Sequence, residues 1–534
     1  MKRSVTCFIL LALLLSTLPS LASAGEKSPA PGEIRLTVIE DSPGELLLHF
    51  EAPPPLFTSE GVPIYPGVVS TAPEGYPLLP HISRFLTVGE GRVRLKVHLL
   101  RWGEASPGEI PPSPPPCPDM EEVFREGMKG DVYGRDDFYP GRWAEILEGG
   151  HFREYHMVLL RINPIQYNPV RGVVRYALEM SIEVISSPAL PPPPAHPDIS
   201  LFLKGVSFNW PWNFEGSPPP PLSSGAEYLI ITHPSLMPAA FKMACWKAKE
   251  GYTVKVVNTT ETGCSALSIR RYLERAYGEW NPPPLYILLL GDADLVPTNY
   301  FYRHPYHGTL TGTDHWYSTL SGTDYIPDVF IGRIPANNLT EAFYIVNKTI
   351  SYRTSPPSNP GFYRNVTVAA YFQDSNRDGY EDRRFVKTSE EIRDNLTAFN
   401  YSVRRIYYTP SYVNPTHYND GYFASGEPLP PSLLRSNGFA WDGDKGDITD
   451  AVMSGTLILN HRDHGARWGW GDPRYTSDDA YSLRNGNLTP VVFSINCQTG
   501  WFDHETDPYS STVDECFSED FLSCLLYTSP SPRD

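Results

Sequence analysis

A chain of 534 residues with a formal charge of −17 is long enough for two to four domains, at roughly 100–200 residues each. The acidic balance speaks against nucleic acid and anionic membrane surfaces as partners and fits a protein that stays soluble outside the cell. Its seven cysteines show no C-x-x-C or other close metal-ligand spacing, which argues against a zinc cluster.

The chain opens with Met1-Lys2-Arg3, an apolar run from Phe8 to Leu15 and the small-residue exit Ala22-Ser23-Ala24. That is the layout of a cleaved signal peptide over residues 1–24, with Gly25 as the first mature residue. No later run approaches the ~20 apolar residues of a membrane helix, so no transmembrane segment is expected. The protein is therefore read as secreted or displayed at the cell surface. Export permits disulfides, and Cys245 with Cys264 is a candidate pair.

Residues 25–200 carry short alternating strands such as Ile34–Ile39, Val93–Leu99 and Met180–Val184, broken by Pro and Gly. With almost no helical period, this region reads as an all-β sandwich-like domain. The stretch from Pro188 to Pro221 holds many of the 55 prolines and reads as a stiff linker, with the joint at 201–222.

Beyond it, strands and helices alternate. Strand Tyr228–Thr232, a helix over Leu236–Glu250, strand Tyr252–Val257, a helix over Ser265–Tyr277 and strand Leu285–Leu290 make a first α/β subdomain over 223–360. A second round over 361–522 begins with strand Val366–Tyr371, a helix over Thr388–Phe399 and strand Ser402–Tyr407. Near-continuous apolar strands separated by helices predict parallel sheets covered on both faces.

Two half-motifs follow. Leu457-Ile458-Leu459-Asn460-His461-Arg462-Asp463-His464-Gly465 and Pro490-Val491-Val492-Phe493-Ser494-Ile495-Asn496-Cys497 are both β-branched runs that stop abruptly. Parallel strands deliver their ends to one edge, the edge where such sheets bind ligands. A thiol and an imidazole meeting there can attack a carbonyl. Cys497 is the candidate nucleophile and His464 the base that takes and returns the proton. The backbone N–H groups of Gly465 and Cys497 are candidates for the oxyanion site, glycine permitting close approach. His461 lies three positions before His464, so a strand sends the two rings to opposite faces; zinc held by His461, His464 and Asp292 is a minority reading.

Asp374-Ser375-Asn376-Arg377-Asp378-Gly379-Tyr380-Glu381-Asp382 resembles a calcium loop, with oxygen donors at Asp374, Asn376, Asp378 and Asp382 and a glycine at the sharp turn. The glutamate that would complete an EF-hand is replaced by Phe385. A structural Ca²⁺ is the expectation here.

Taken in order, Leu289-Leu290-Gly291-Asp292, Gly332-Arg333, His464-Gly465, Asn496-Cys497-Gln498-Thr499-Gly500 and Glu515-Cys516-Phe517-Ser518-Glu519 resemble the gingipain-type cysteine peptidases, which share a caspase-like architecture. Asn163-Pro164-Ile165-Gln166-Tyr167-Asn168-Pro169 looks like part of that family's pro-domain. The resemblance implies a zymogen acting on protein or peptide substrates and inhibited by its own pro-domain. It also implies that Asp382 aligns with the acid at the base of the primary pocket in arginine-specific members, a role that competes with calcium binding. Three departures stand out. Asp463 replaces the glycine usual before the His-Gly pair, the family's third catalytic acid falls near Gln373 or Asp374, and the tail 523–534 matches nothing in the family pattern, so the chain is read as truncated there. Rival readings are a sorting transpeptidase of the same family, and a catalytically silent, calcium-stabilised surface or adhesion protein.

Overall fold

The computed structural model describes residues 34–503 and 515–523, apart from 114–128, 188–195, 211–224, 302–310, 420–425 and positions 43, 59, 60, 66, 67, 69, 71 and 74. The signal segment, Cys7, Cys117, Cys524 and the tail from 524 lie outside the described residues. Two compact units divide the chain: residues up to 220 with 322–326 and 419–427, and the remainder.

The first unit is built from two antiparallel sheets. In one, the strands run in the order Arg35–Ser42, Glu45–Glu51, Val173–Ile185, Arg94–Ala105, with Ile165–Asn168 also paired to Val173–Ile185. In the other, Tyr155–Ile162 lies between Ile82–Val88 and Ala144–Phe152. Alternate residues point inward, as the two-residue period of a strand requires. Leu46, Leu48 and Phe50 meet Met180, Ile182 and Val184 from the first sheet and Leu86, Val158 and Leu160 from the second in one core. This is the sandwich that the alternation predicts.

The joint departs from expectation. Residues Pro197–Val206 form a helix that starts on His196, whose Nδ1 accepts from the Asp198 N–H, with Pro197 in the first turn. Ile199, Phe202 and Leu203 are buried. Their i, i+3, i+4 spacing makes an apolar stripe, and proline is tolerated at a helix start where its missing N–H has no intrahelical partner. The linker read over 201–222 therefore begins as packed helix.

The second unit contains two four-stranded parallel sheets with the same winding. The first runs Val254–Asn258, Tyr228–Thr232, Tyr286–Leu290, Phe330–Ile334, and the second Ser402–Tyr408, Asn365–Tyr371, Ile458–Arg462, Val491–Ile495. Helices cover both faces of each. In the first sheet Ile230, Leu288 and Leu290 pack on helices Met237–Lys249 and Leu339–Thr354, while Leu229, Ile231 and Leu289 pack on Ala266–Glu279. This separation removes the Cys245–Cys264 disulfide: Cys245 rides the helix on one face, Cys264 precedes the helix on the other, and neither forms a disulfide. The Cys264 thiol instead donates to the Thr259 carbonyl at 3.5 Å.

The fourth strand, Phe330–Ile334, contains the Gly-Arg pair. Arg333 is buried and bonds Asp314 through both arms, at 2.7 and 2.8 Å, and also donates to the carbonyls of Gly291 and Val296 at 2.7 and 2.8 Å. A bidentate partner and two carbonyls are what a desolvated guanidinium requires. One side chain thus ties the loop after Tyr286–Leu290 to Asp314, just beyond the short strand Thr311–Thr313.

Candidate active site

The second sheet brings three side chains to one edge. Ile458–Arg462 and Val491–Ile495 pair in parallel with Arg462 opposite Ile495, and Arg462 is also opposite Ala370 of Asn365–Tyr371. His464 and Cys497 each lie two positions beyond their paired strand ends, so they leave the sheet at the same height. The approach is close: a Cβ on Gly465 would stand 2.9 Å from the Cys497 carbonyl oxygen, 3.0 Å from Thr499 Cγ2 and 3.1 Å from Asn496 Cβ. Only glycine fits after the histidine. Gln498, directly after the cysteine, takes a left-handed φ of 59°, a conformation uncommon outside glycine, and turns the chain sharply away from the sheet. Cys497 is exposed and forms no disulfide.

The His464 ring is half-buried and held on two sides. Its Nε2 lies 2.8 Å from Gln373 Oε1, and Phe385 presents its edge or face at 87° with 5.4 Å between centroids. An amide oxygen only accepts, so Nε2 carries the hydrogen and Nδ1 keeps the lone pair in the neutral ring. Of the two positions where an acid was expected, Gln373 touches the histidine and Asp374 does not: both Asp374 oxygens accept backbone N–H groups, from Asp378 at 3.1 Å and Gly379 at 2.9 Å.

Asp463 is buried. It neither faces solvent nor forms an ion pair with the imidazole beside it; its Oδ2 accepts from the Asp472 N–H, and a Cβ on Gly471 would collide with that oxygen at 2.7 Å. Burial pushes its carboxyl up to about 7. His461 lies on the other face, stacked on Trp470 with 4.1 Å between centroids, as the odd spacing from His464 predicted. Both its nitrogens are engaged, Nδ1 by Asn496 at 2.7 Å and Nε2 by the Asp472 carbonyl at 3.2 Å. No nitrogen is left for zinc, and Asp292 is buried at the end of a strand in the other sheet.

The calcium set does not converge. Besides the two oxygens of Asp374, Asp378 Oδ1 accepts from Tyr380 N at 2.8 Å, Asn376 Oδ1 from Asp378 N at 3.2 Å, and Asp382 Oδ2 from Ser375 N at 2.7 Å. Among the described residues, no three His, Cys, Asp or Glu side chains gather so as to hold a metal ion. The loop is closed by side chains capping its own backbone, the habit of Asp and Asn in turns. Asp382 lies beside the edge just described, its N–H donating to the Gln373 carbonyl at 2.8 Å.

Sequence reasoning missed the contacts of Asn496, Thr499 and Trp470 around His461. The only signal available was the run of polar residues Asn496, Gln498 and Thr499 at a strand end, where a simple turn would read the same.

Comparison with known proteins matches residues 222–524 to the model of peptidase family C25 and residues 58–200 to that of the C25 propeptide. Gingipain R2 of Porphyromonas gingivalis is 22% identical over 464 residues, covering 83% of this chain and 57% of its own length. Lys-gingipain HG66 of the same species is 21% identical over 461 residues, covering 82% of this chain and 24% of its own. The chain thus spans little more than half of the first relative and about a quarter of the second. The crystal structure of the Arg-specific cysteine proteinase gingipain R superimposes with a TM-score of 0.43 at 19% identity, covering 57% of this chain and 61% of that one.

Asp463 makes a checkable contribution to stability. Burial holds it at about 7, above its ordinary 3.8, so as pH rises the unfolded chain releases this proton first. Stability must then fall from about pH 4 to pH 7 on account of this residue. Asp463→Asn, neutral throughout, should flatten that fall in urea midpoints measured across the range; an unchanged slope would refute the assignment.

Proposed function

We propose that this chain, which belongs to peptidase family C25, is an exported cysteine endopeptidase made as a zymogen, with Cys497 as nucleophile and His464 as base. The observation that carries this reading is the equal distance of the two residues beyond the ends of adjacent, paired parallel strands. His464 Nδ1 takes the Sγ proton as sulfur attacks the peptide carbonyl. The oxygen that gains charge faces the N–H groups of Gly465 and Cys497, where fixed dipoles lower the barrier. The imidazolium then gives its proton to the departing amine, leaving a thioester. Water, deprotonated by the same nitrogen, attacks the thioester carbonyl, and the thiol is released with its proton. Gln373 orients the ring through Nε2–H without adding a negative charge. The two successive α/β sheets support the caspase-like architecture.

The test is substitution in the full chain after activation. Cys497→Ala and His464→Ala should each abolish hydrolysis of a mixed peptide library, by a factor of roughly 10³ or more, while leaving the melting temperature intact. Undiminished turnover in either variant would sink the assignment.

Specificity for arginine before the cut is part of the same reading, supported by the place of Asp382 next to Gln373. A carboxylate in a pocket recognises a guanidinium through two parallel hydrogen bonds. Asp382→Ala should collapse kcat/KM for arginyl substrates by roughly 10²-fold and spare others; equal loss on all substrates would contradict it.

The first unit is proposed as the inhibitor of the second, supported by the propeptide match over residues 58–200. Residues 25–200 supplied as a separate chain should suppress the activated enzyme near stoichiometry in a progress-curve assay. No suppression at a tenfold excess, an amount on the order of what tight inhibitors never need, would leave this unit a structural role only.

A further inference from the structure

We propose that His461 is a positioning residue, its imidazole tying the segment that carries Cys497 to the segment that carries His464. The proposal rests on the cysteine-peptidase reading above and deepens it.

His461 is fully buried and its hydrogens can be assigned from its partners. The Asp472 carbonyl at 3.2 Å only accepts, so Nε2 bears the hydrogen. Nδ1 is then a lone pair, and it accepts from Asn496 Nδ2 at 2.7 Å. Asn496 directly precedes Cys497. Its amide is fixed from the other end as well: Oδ1 accepts from Ser494 Oγ at 2.8 Å and from Thr499 Oγ1 at 2.9 Å, and Ser494 Oγ in turn accepts from Trp470 Nε1 at 2.8 Å. The residues flanking the proposed nucleophile are thus locked from both sides, in a half-buried network with each partner satisfied.

The other end of the ring reaches the base. Asp472, which receives the Nε2–H, gives its own N–H to Asp463 Oδ2, and Gly471 gives its N–H to the His464 carbonyl at 2.9 Å. His461 therefore links two chain segments that the sheet alone brings together at Arg462 and Ile495. Burial pushes its ionisation down to about 3, so the lone pair persists across the range in which a peptidase works. Reacting groups must be held to within a fraction of an ångström, since displacement of about 1 Å can cost 10²-fold in rate. A link of this kind supplies that restraint.

The test compares His461→Phe, Asn496→Ala and the double variant in the full activated chain. Phenylalanine keeps a ring against Trp470 while removing both hydrogen bonds. His461→Phe should lower kcat by roughly 10–100-fold with KM within about threefold. The double variant should be no worse than the poorer single one, because the two residues act as one unit. Alkylation of Cys497 by iodoacetamide, which needs no substrate pocket, should slow in parallel. Activity and alkylation within about twofold of the parent, or multiplicative losses in the double variant, would overturn the proposal. Should His461→Phe fail to fold, Thr499→Val decides, since it removes one hydroxyl from the Asn496 amide at constant shape: a fall in kcat at unchanged KM supports the link, and no fall overturns it. A parent chain that cleaves no peptide would defeat the peptidase reading, and the ratio of alkylation rates would still decide the role of His461.

Discussion

The parallel pairing of Ile458–Arg462 with Val491–Ile495 fixes the height at which an imidazole and a thiol leave the second sheet. In a strand, a slip of one residue sends each side chain to the opposite face. Such a slip would turn His464 toward the face on which His461 now stacks on Trp470. The apolar contacts of Leu459 and Ala369 on one face, and of Val368 and Ala370 on the other, oppose it. Packing that belongs to the core therefore specifies the geometry of the edge. Gly465 and the left-handed turn at Gln498 are consequences of that closeness.

The groups that hold His464 at this edge carry little formal charge. The group on His464 Nε2 is a neutral amide, so it directs the ring without favouring the imidazolium as a carboxylate would. The acid next in sequence, Asp463, is buried and turned to the Asp472 backbone. Its neighbour His461 is held neutral by burial. Orientation around His464 and Asn496 is thus achieved through amides, hydroxyls and backbone groups.

Much of this was legible in the chain. The apolar runs at Tyr228–Thr232, Leu285–Leu290 and Val366–Tyr371 gave parallel strands because residues buried on both faces leave no alternation to confuse the reading. The placing of His464 and Cys497 at one sheet edge was legible because each follows such a run. Phe330–Ile334 was not recognised as a strand, since Gly332 and Arg333 interrupt its apolar character, and only the partnership with Asp314 makes a buried guanidinium tolerable. The helix Pro197–Val206 was concealed by the surrounding prolines. In the loop Asp374–Asp382, spacing shows that oxygens are available, but not that backbone N–H groups donate to them. The Asn496–His461 bond joins residues 35 positions apart, and no local pattern announces it.

The central claim is that one particular thiol is the nucleophile. Incubating the activated full chain with a peptidyl chloromethyl ketone and mapping the adduct by mass spectrometry tests it directly. A single adduct on Cys497, lost when the His464→Ala variant is treated in the same way, is the predicted result. Labelling of Cys245, Cys264 or Cys516 in its place, or equal labelling of Cys497 without His464, would contradict the account.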